Sequence, residues 1–85
     1  MPFISRFLGI VIFMYWDDHK PAHFHARYGD HEGVIEILSG NIIGYLPPKA
    51  LSLVQEWREL HQTELLEDWE LAEKHENLKK ITPLE

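Results

Sequence analysis

The spacing of hydrophobic positions changes near the middle of the chain, from a strand-like pattern to a helical one. Gly9–Trp16 is an unbroken apolar run rich in β-branched and aromatic residues, which is typical of a central strand covered on both faces. His23–Tyr28, Gly33–Leu38 and Ile42–Leu46 follow as three shorter strands separated by turn residues. The front of the chain therefore predicts four strands joined mostly as antiparallel neighbours.

Alternation along the second of these strands predicts which side chains share a face. His23, His25 and Arg27 point one way, and the residues between them point the other way. A two-residue loop at Asp30-His31 would place His25 opposite Glu36 on the next strand. A loop at Gly40-Asn41 would bring Tyr45 to Glu36 as well, so both residues are expected near the histidines.

The back of the chain reads as two helices followed by an extended tail. Pro47-Pro48 suits a first helical turn, and Trp57 and Trp69 recur on apolar stripes, so both are expected in the core. Thr63 is a candidate N-cap for the second helix. The prediction is a single α+β domain over residues 1–85. Residues 1–46 form the β-rich half, and 47–76 form two C-terminal helices packed on one face of the sheet. Residues 77–85 form an extended segment that could add a fifth edge strand.

The charge and the absence of cysteine exclude some classes of function but do not identify one. The 85 residues contain 14 acidic and 8 basic side chains, giving a formal charge of −6, and no cysteine. Disulfides, thiolate zinc sites and cysteine nucleophiles are therefore excluded, and a broad basic face for duplex DNA is not expected. No run is long enough for a membrane span, and we expect a cytoplasmic protein.

Four of the six histidines lie within thirteen residues, which makes this segment the candidate site. His23 and His25 sit on one strand face, about 6–7 Å apart at the backbone, so both rings could reach one metal ion. A third ligand would come from His19, Asp18 or Asp17 in the preceding loop, and Glu36 could orient the His25 ring. Zinc, nickel or manganese would each be chemically admissible.

The same residues permit three other interpretations, one of which is a histidine-rich contact surface for a partner protein. His23 and His25 could act as general acid and base on a phosphodiester, with Lys20 or Arg27 holding the phosphate and Glu36 nearby. A polar strand face can also be merely solvated, with no function at all. The sequence leaves these alternatives open.

Several motifs resemble the prokaryotic domain-of-unknown-function 4160 family over nearly the whole chain. They are PxISRFxGIVIxMY (Pro2–Tyr15), DHKPAHFHAxYG (Asp18–Gly29), LPPKAL (Leu46–Leu51), VQEWxELHxxELLEDW (Val54–Trp69) and the ending LKKITPL. The family has no established activity, so the resemblance assigns no catalytic role to any residue. Ala22 stands where the family usually has the second of two prolines.

The resemblance also implies a genetic context. Members are often encoded beside domain-of-unknown-function 2442 proteins, which suggests a component of a two-gene toxin–antitoxin-like module. The expected partner is such a protein or a second copy of this chain, and RNA is a further candidate. A DNA-binding regulator is less favoured, because the helices are acidic and no basic recognition helix is present.

Overall fold

The computed structural model describes residues 3–85, which form a five-stranded antiparallel meander followed by two helices. The strands lie side by side in chain order. The elements are β1 (Phe3–Phe7), β2 (Ile10–Phe13), β3 (His23–Tyr28), β4 (His31–Glu36), β5 (Ile42–Gly44), α1 (Pro48–Leu60) and α2 (Gln62–Glu73). The predicted α+β class is confirmed, with five strands in the sheet rather than four.

The additional strand is N-terminal, which corrects the single strand predicted over Gly9–Trp16. A two-residue turn at Leu8-Gly9 joins β1 to β2, with φ of +50° and +82°. Two successive positive φ angles define the turn that matches the twist of a tight hairpin, and glycine adopts this conformation without strain. The segment 77–85 forms no strand, although the Ile81 amide donates a hydrogen bond to the Ile4 carbonyl at 2.8 Å.

The register between β3 and β4 differs from the prediction by two residues. The turn falls at Gly29-Asp30, so Tyr28 pairs with His31, and His25 lies opposite Val34 rather than Glu36. Gly29 has a φ of +59°, which explains why the chain reverses one position earlier than expected. A shift of two residues preserves which side chains share a face.

The other predicted contacts of Glu36 change accordingly. Glu36 pairs with His23 across the strands. Tyr45 lies beside Glu32, to whose carbonyl its amide donates at 3.4 Å. The prediction that Tyr45 faces Glu36 is therefore wrong.

Both helices pack on one face of the sheet and form the main core there. The core includes Ile10 and Ile12 of β2, Phe24 of β3, and Trp57 and Trp69 of the helices, which confirms the tryptophan prediction. The Trp57 indole also donates to the Thr82 carbonyl at 2.9 Å, which holds the C-terminal segment against the helices. Within residues 3–85, no helix is long and apolar enough to cross a bilayer.

The two helices are separated by a one-residue break at His61. His61 has a φ of −125°, and its amide donates to the Trp57 and Arg58 carbonyls. Thr63 lies inside α2 rather than at its N-cap, so that prediction is wrong. The break allows α2 to fold back beside the sheet and reach the loop that follows β2.

Asp68 of α2 secures the C-terminal segment from a buried position. Its Oδ1 accepts the Lys79 amide at 2.9 Å, whereas Oδ2 has no hydrogen-bond partner among the described residues. The side chain is almost fully buried, and this burial raises the pKa of the carboxyl group above its usual value. Burial therefore destabilises the ionised form of the Asp68 carboxyl group relative to its protonated form.

Replacing Asp68 with asparagine should change how stability depends on pH. A raised folded-state pKa means that the stabilisation from protonation is complete at acidic pH and is lost as pH rises through that pKa. Asparagine does not titrate and keeps an oxygen for the Lys79 amide. The melting temperature of Asp68→Asn minus that of the wild type should therefore increase between pH 4 and 8, whereas Glu67→Gln on the exposed side should give a flat difference. A difference that decreases with pH would contradict this.

Candidate metal centre

The candidate site lies at the start of β3, at the edge of the sheet face opposite the main core, where His23 still contacts Trp69 of α2 with ring centroids 5.0 Å apart. This face, here called the open face, carries Phe13, His25, Arg27 and Val34. Met14–Ala22, the loop between β2 and β3, folds over its edge. The loop is fixed to the end of α2, because the Trp16 indole donates to the Glu76 carbonyl at 3.0 Å and the Asp17 amide donates to the Ala72 carbonyl at 3.2 Å.

Three side chains converge at the point where this loop meets β3. His23 Nε2 lies 2.9 Å from Asp18 Oδ2, and His25 Nε2 lies 3.3 Å from the same oxygen. Ligand atoms from all three residues lie within 4.8 Å of one another. The side chains of His23, His25 and Asp18 are 5%, 11% and 17% exposed, so the cluster is shielded from bulk water.

The second ring nitrogen of His23 determines which atom can bind a ligand. His23 Nδ1 lies 2.7 Å from the Pro21 carbonyl, which can only accept, so Nδ1 carries a hydrogen and donates it. In the neutral ring the lone pair is then on Nε2, the nitrogen that faces Asp18. Two acceptor atoms 2.9 Å apart need a cation between them. Either a proton or a metal ion could fill that role.

His25 is oriented by its neighbours on β2 and β4. Its ring stacks on Phe13 with centroids 5.1 Å apart, and Tyr15 contacts it edge-on at 4.8 Å. His25 Nδ1 makes no hydrogen bond within the described residues, but Glu32 Oε2 lies only 3.4 Å from it. Arg27 donates to the other oxygen of Glu32 at 3.1 Å and so holds the carboxylate beside the ring.

Glu32 therefore occupies the role that the sequence assigned to Glu36. Glu36 instead accepts a hydrogen bond from the Ser39 hydroxyl at 2.7 Å. The signal for Glu32 was available, because a turn at Gly29-Asp30 places Glu32 beside Arg27 and diagonal to His25. Glu36 remains close to the site, in a small cleft of about 70 Å³ that it lines together with His19 and His23.

The electrostatics of the cluster favour an ionised Asp18. Burial alone would raise its pKa, but hydrogen bonds from the His19 amide and from the His23 and His25 rings outweigh burial and lower the pKa to about 2. The carboxylate therefore carries its charge throughout the physiological range. A charged oxygen ligand beside two imidazoles is a donor set that divalent transition metals accept.

The structure leaves the other candidate residues outside this group of donors. The His19 ring is 85% exposed and contacts Asp18 Oδ1 at 3.1 Å, on the outer side of the carboxylate. Asp17 lies 3.8 Å from His75 at the end of α2. Lys20 is exposed in the loop, and Arg27 pairs with Glu32. Of the predicted ligands, the structure thus brings together Asp18, His23 and His25.

Comparison with known proteins adds a family without adding an activity. A family model described as "Domain of unknown function (DUF4160)" matches residues 9–70, a segment that contains all three converging side chains and Glu32. No match to the chain was found among curated proteins or among solved structures.

Proposed function

Because this chain belongs to the DUF4160 family, whose description assigns no activity, we propose a function from the site itself. The domain binds one divalent transition-metal ion through His23 Nε2, His25 Nε2 and the Asp18 carboxylate. The single observation that carries this proposal is the convergence of three shielded donor atoms within 4.8 Å. Ligands bonded tetrahedrally to zinc lie about 3.3 Å apart, so the distances of 2.9 and 3.3 Å to the Asp18 oxygen fit such a site, and the two histidine nitrogens, which lie within 4.8 Å of each other, would move closer on binding.

The atoms behind the donors support the same function. Histidines that bind metals usually donate their second N–H to a backbone carbonyl or a carboxylate, which fixes the ring orientation. His23 donates to the Pro21 carbonyl, and His25 has the Glu32 carboxylate at 3.4 Å. Arg27 in turn holds Glu32. His23 thus has the hydrogen-bonded outer partner that is usual at a metal centre, and His25 has a carboxylate close to the corresponding nitrogen.

Metal binding explains the geometry better than metal-free acid–base catalysis does. A general acid or base must present its nitrogen to a substrate proton. Here both Nε2 atoms point at one half-buried carboxylate oxygen, and both Nδ1 atoms face other groups of the protein. Neither ring has a nitrogen free for a substrate unless the cluster opens.

The number of ligands indicates what the ion could do. Sites that use metals structurally usually supply four protein ligands, whereas catalytic sites supply three and leave a position for water or substrate. With three protein ligands, a bound ion would have such a position and could lower the pKa of a coordinated water towards neutrality. The cleft beside His23 provides space next to the ligands. Hydrolysis is the reaction class that fits this arrangement.

The test is a zinc titration of untagged protein by isothermal calorimetry, with melting curves in the presence and absence of a chelator. We expect one zinc ion per chain and a melting temperature that falls when the ion is removed, since a ligand that binds only the folded state stabilises it. Absence of binding, together with a melting temperature that a chelator does not change, would overturn the proposal.

A second candidate function is attachment to a partner protein, as a component of the toxin–antitoxin-like module that the resemblance implies. The exposed apolar residues around the free edge of β5 support it, because Leu38, Ile43 and Tyr45 are 69%, 75% and 58% exposed. The cytoplasmic location predicted from the sequence likewise remains a prediction. A monomeric mass of 10.1 kDa in solution and no co-purifying chain would argue against the partner.

A further inference from the structure

The charged side chains are unevenly divided between the two layers of the domain. The two helices carry seven acidic and two basic residues, so most of the formal charge of −6 lies on their side. The five strands carry only two basic and two acidic residues. An overall acidic composition therefore says little about the electrostatics of the open face.

Three cations lie on or beside the open face, next to aromatic rings. The Arg6 guanidinium lies 4.9 Å from the Phe3 ring centroid, and the Lys80 ammonium lies 4.2 Å from the same ring. The Arg27 guanidinium lies 5.2 Å from the Phe13 ring. These contacts hold long, flexible side chains against the sheet, which reduces the entropy that they would lose on binding an anion.

Strand register places two of these cations in one row. Arg6 pairs with Val11, and Val11 pairs with Arg27, so the two arginines are separated by one strand. Neighbouring strands lie about 4.8 Å apart, which puts the two backbones about 10 Å from each other. At that separation the two guanidinium groups would contact different phosphates of one strand.

A bound metal ion would change the charge balance of this face. Within residues 3–85, the strands, their hairpin turns and the loop 14–22 carry five carboxylates, Asp17, Asp18, Asp30, Glu32 and Glu36, whereas the cations there and at Lys80 number four, Arg6, Lys20, Arg27 and Lys80. A divalent ion at Asp18, His23 and His25 would change the sum of these charges from −1 to +1. The metal-loaded face is thus electropositive, whereas the metal-free face is close to neutral.

Two aromatic rings next to these charges are open to solvent. Tyr15 is 41% exposed and contacts the His25 ring, and Phe3 is 37% exposed at the outer strand. Exposed aromatic side chains on an antiparallel sheet provide stacking surfaces for unpaired bases. Duplex bases are already stacked on each other and cannot use such surfaces.

We infer that the open face binds single-stranded nucleic acid when the metal site is loaded. Its phosphates lie along Arg6, Arg27 and Lys80, and one base stacks on Tyr15 beside the metal. RNA and DNA share the phosphodiester chemistry that this surface recognises. The inference rests on the proposed metal site and names the substrate class that the site would act on.

Fluorescence anisotropy with labelled ten-nucleotide oligouridine and oligothymidine tests this inference directly. The test variant is Arg6→Gln with Lys80→Gln, and the matched control is Lys49→Gln with Lys74→Gln, which removes the same charge from exposed positions on the helix side. We expect zinc-loaded wild-type protein to bind and a chelator to weaken the binding. The test variant should bind about 10-fold more weakly. The slope of log affinity against log salt concentration should show about two fewer released counterions.

The outcomes separate this inference from the proposed function. Neither variant changes a metal ligand, so both should bind zinc as the wild type does. Equal weakening in the test and control variants would overturn the inference, because binding would then reflect overall charge. Zinc binding without binding of either oligonucleotide would overturn the inference alone, whereas failure of the zinc titration would overturn the proposed function. A preference for one oligonucleotide would identify RNA or DNA as the ligand.

Discussion

Replacing both His23 and His25 with glutamine is expected to abolish stoichiometric zinc binding. The double variant removes two of the three donor atoms that converge within 4.8 Å, and a lone carboxylate does not hold a transition metal at micromolar concentration. We expect an affinity loss of at least about 100-fold, which exceeds the effect of removing a group behind a ligand. Calorimetric titration measures this loss, and a chelator should then leave the melting temperature of the variant unchanged.

The matched control for this experiment replaces His31 and His75, which are exposed and lie outside the cluster, with glutamine. It removes the same number of imidazoles and should bind zinc as the wild type does. Glu32→Gln should give an intermediate loss of about 10–100-fold, because it removes only the charge beside His25 Nδ1. Unchanged zinc affinity in the double variant, with a wild-type circular dichroism spectrum, would contradict the assignment.

The ligands on β3 could be predicted from sequence, whereas the carboxylate beside His25 depended on a choice between two turns. Because side chains alternate along a strand, His23 and His25 share a face, and a register shift of two residues does not change this. The residue opposite His25 depends on where the turn closes, and both Gly29-Asp30 and Asp30-His31 were sterically acceptable turns. Choosing the second one assigned Glu36 instead of Glu32.

The first hairpin shows a different limit of sequence reasoning. The hydrophobic run Gly9–Trp16 contains all of β2 and extends beyond its end. Hydrophobicity alone therefore did not reveal the turn that precedes β2 or the separate strand β1. Leu8 occupies a left-handed position that leucine rarely adopts, and only Gly9 signalled the reversal. Asp18 was one of three candidates for the third ligand. Only the docking of its loop on α2 brings that carboxylate between the two rings.

A buried arginine on α1 was also missed, because charged residues on a helix are usually assigned to the solvent side. Arg58 is only 8% exposed. It donates to the Ile37 carbonyl at 2.8 Å and the Leu38 carbonyl at 3.3 Å, and its Nε donates to Gln55 at 2.7 Å. Gln55 in turn donates to the Gly40 carbonyl at 2.8 Å. Arg58 thus donates hydrogen bonds to backbone carbonyls of the turn between β4 and β5. These carbonyls have no further strand to pair with.

Replacing Arg58 with alanine is therefore expected to lower the free energy of unfolding by about 3 kcal/mol. The variant loses several hydrogen bonds from a charged donor, exposes buried carbonyl groups and leaves a cavity where the side chain packed. Urea denaturation followed by circular dichroism measures the change. Lys49→Ala, an exposed cation on the same helix, should shift the free energy by less than about 0.5 kcal/mol.

The positions at which Arg58→Ala loses stability can be measured separately from the total loss. If Arg58 holds the β4–β5 turn, amide hydrogen exchange in Arg58→Ala should accelerate first at Glu36 and Gly40, whose amides donate to the Asn41 and Glu36 carbonyls. Exchange at β2 and β3, and therefore zinc binding at His23 and His25, should change much less, because each of these strands pairs with a neighbouring strand on both sides. A uniform acceleration would mean that Arg58 supports the whole core. Unchanged stability would mean that the turn is held by Gln55 and by Gln62, which also donates to the Ile37 carbonyl.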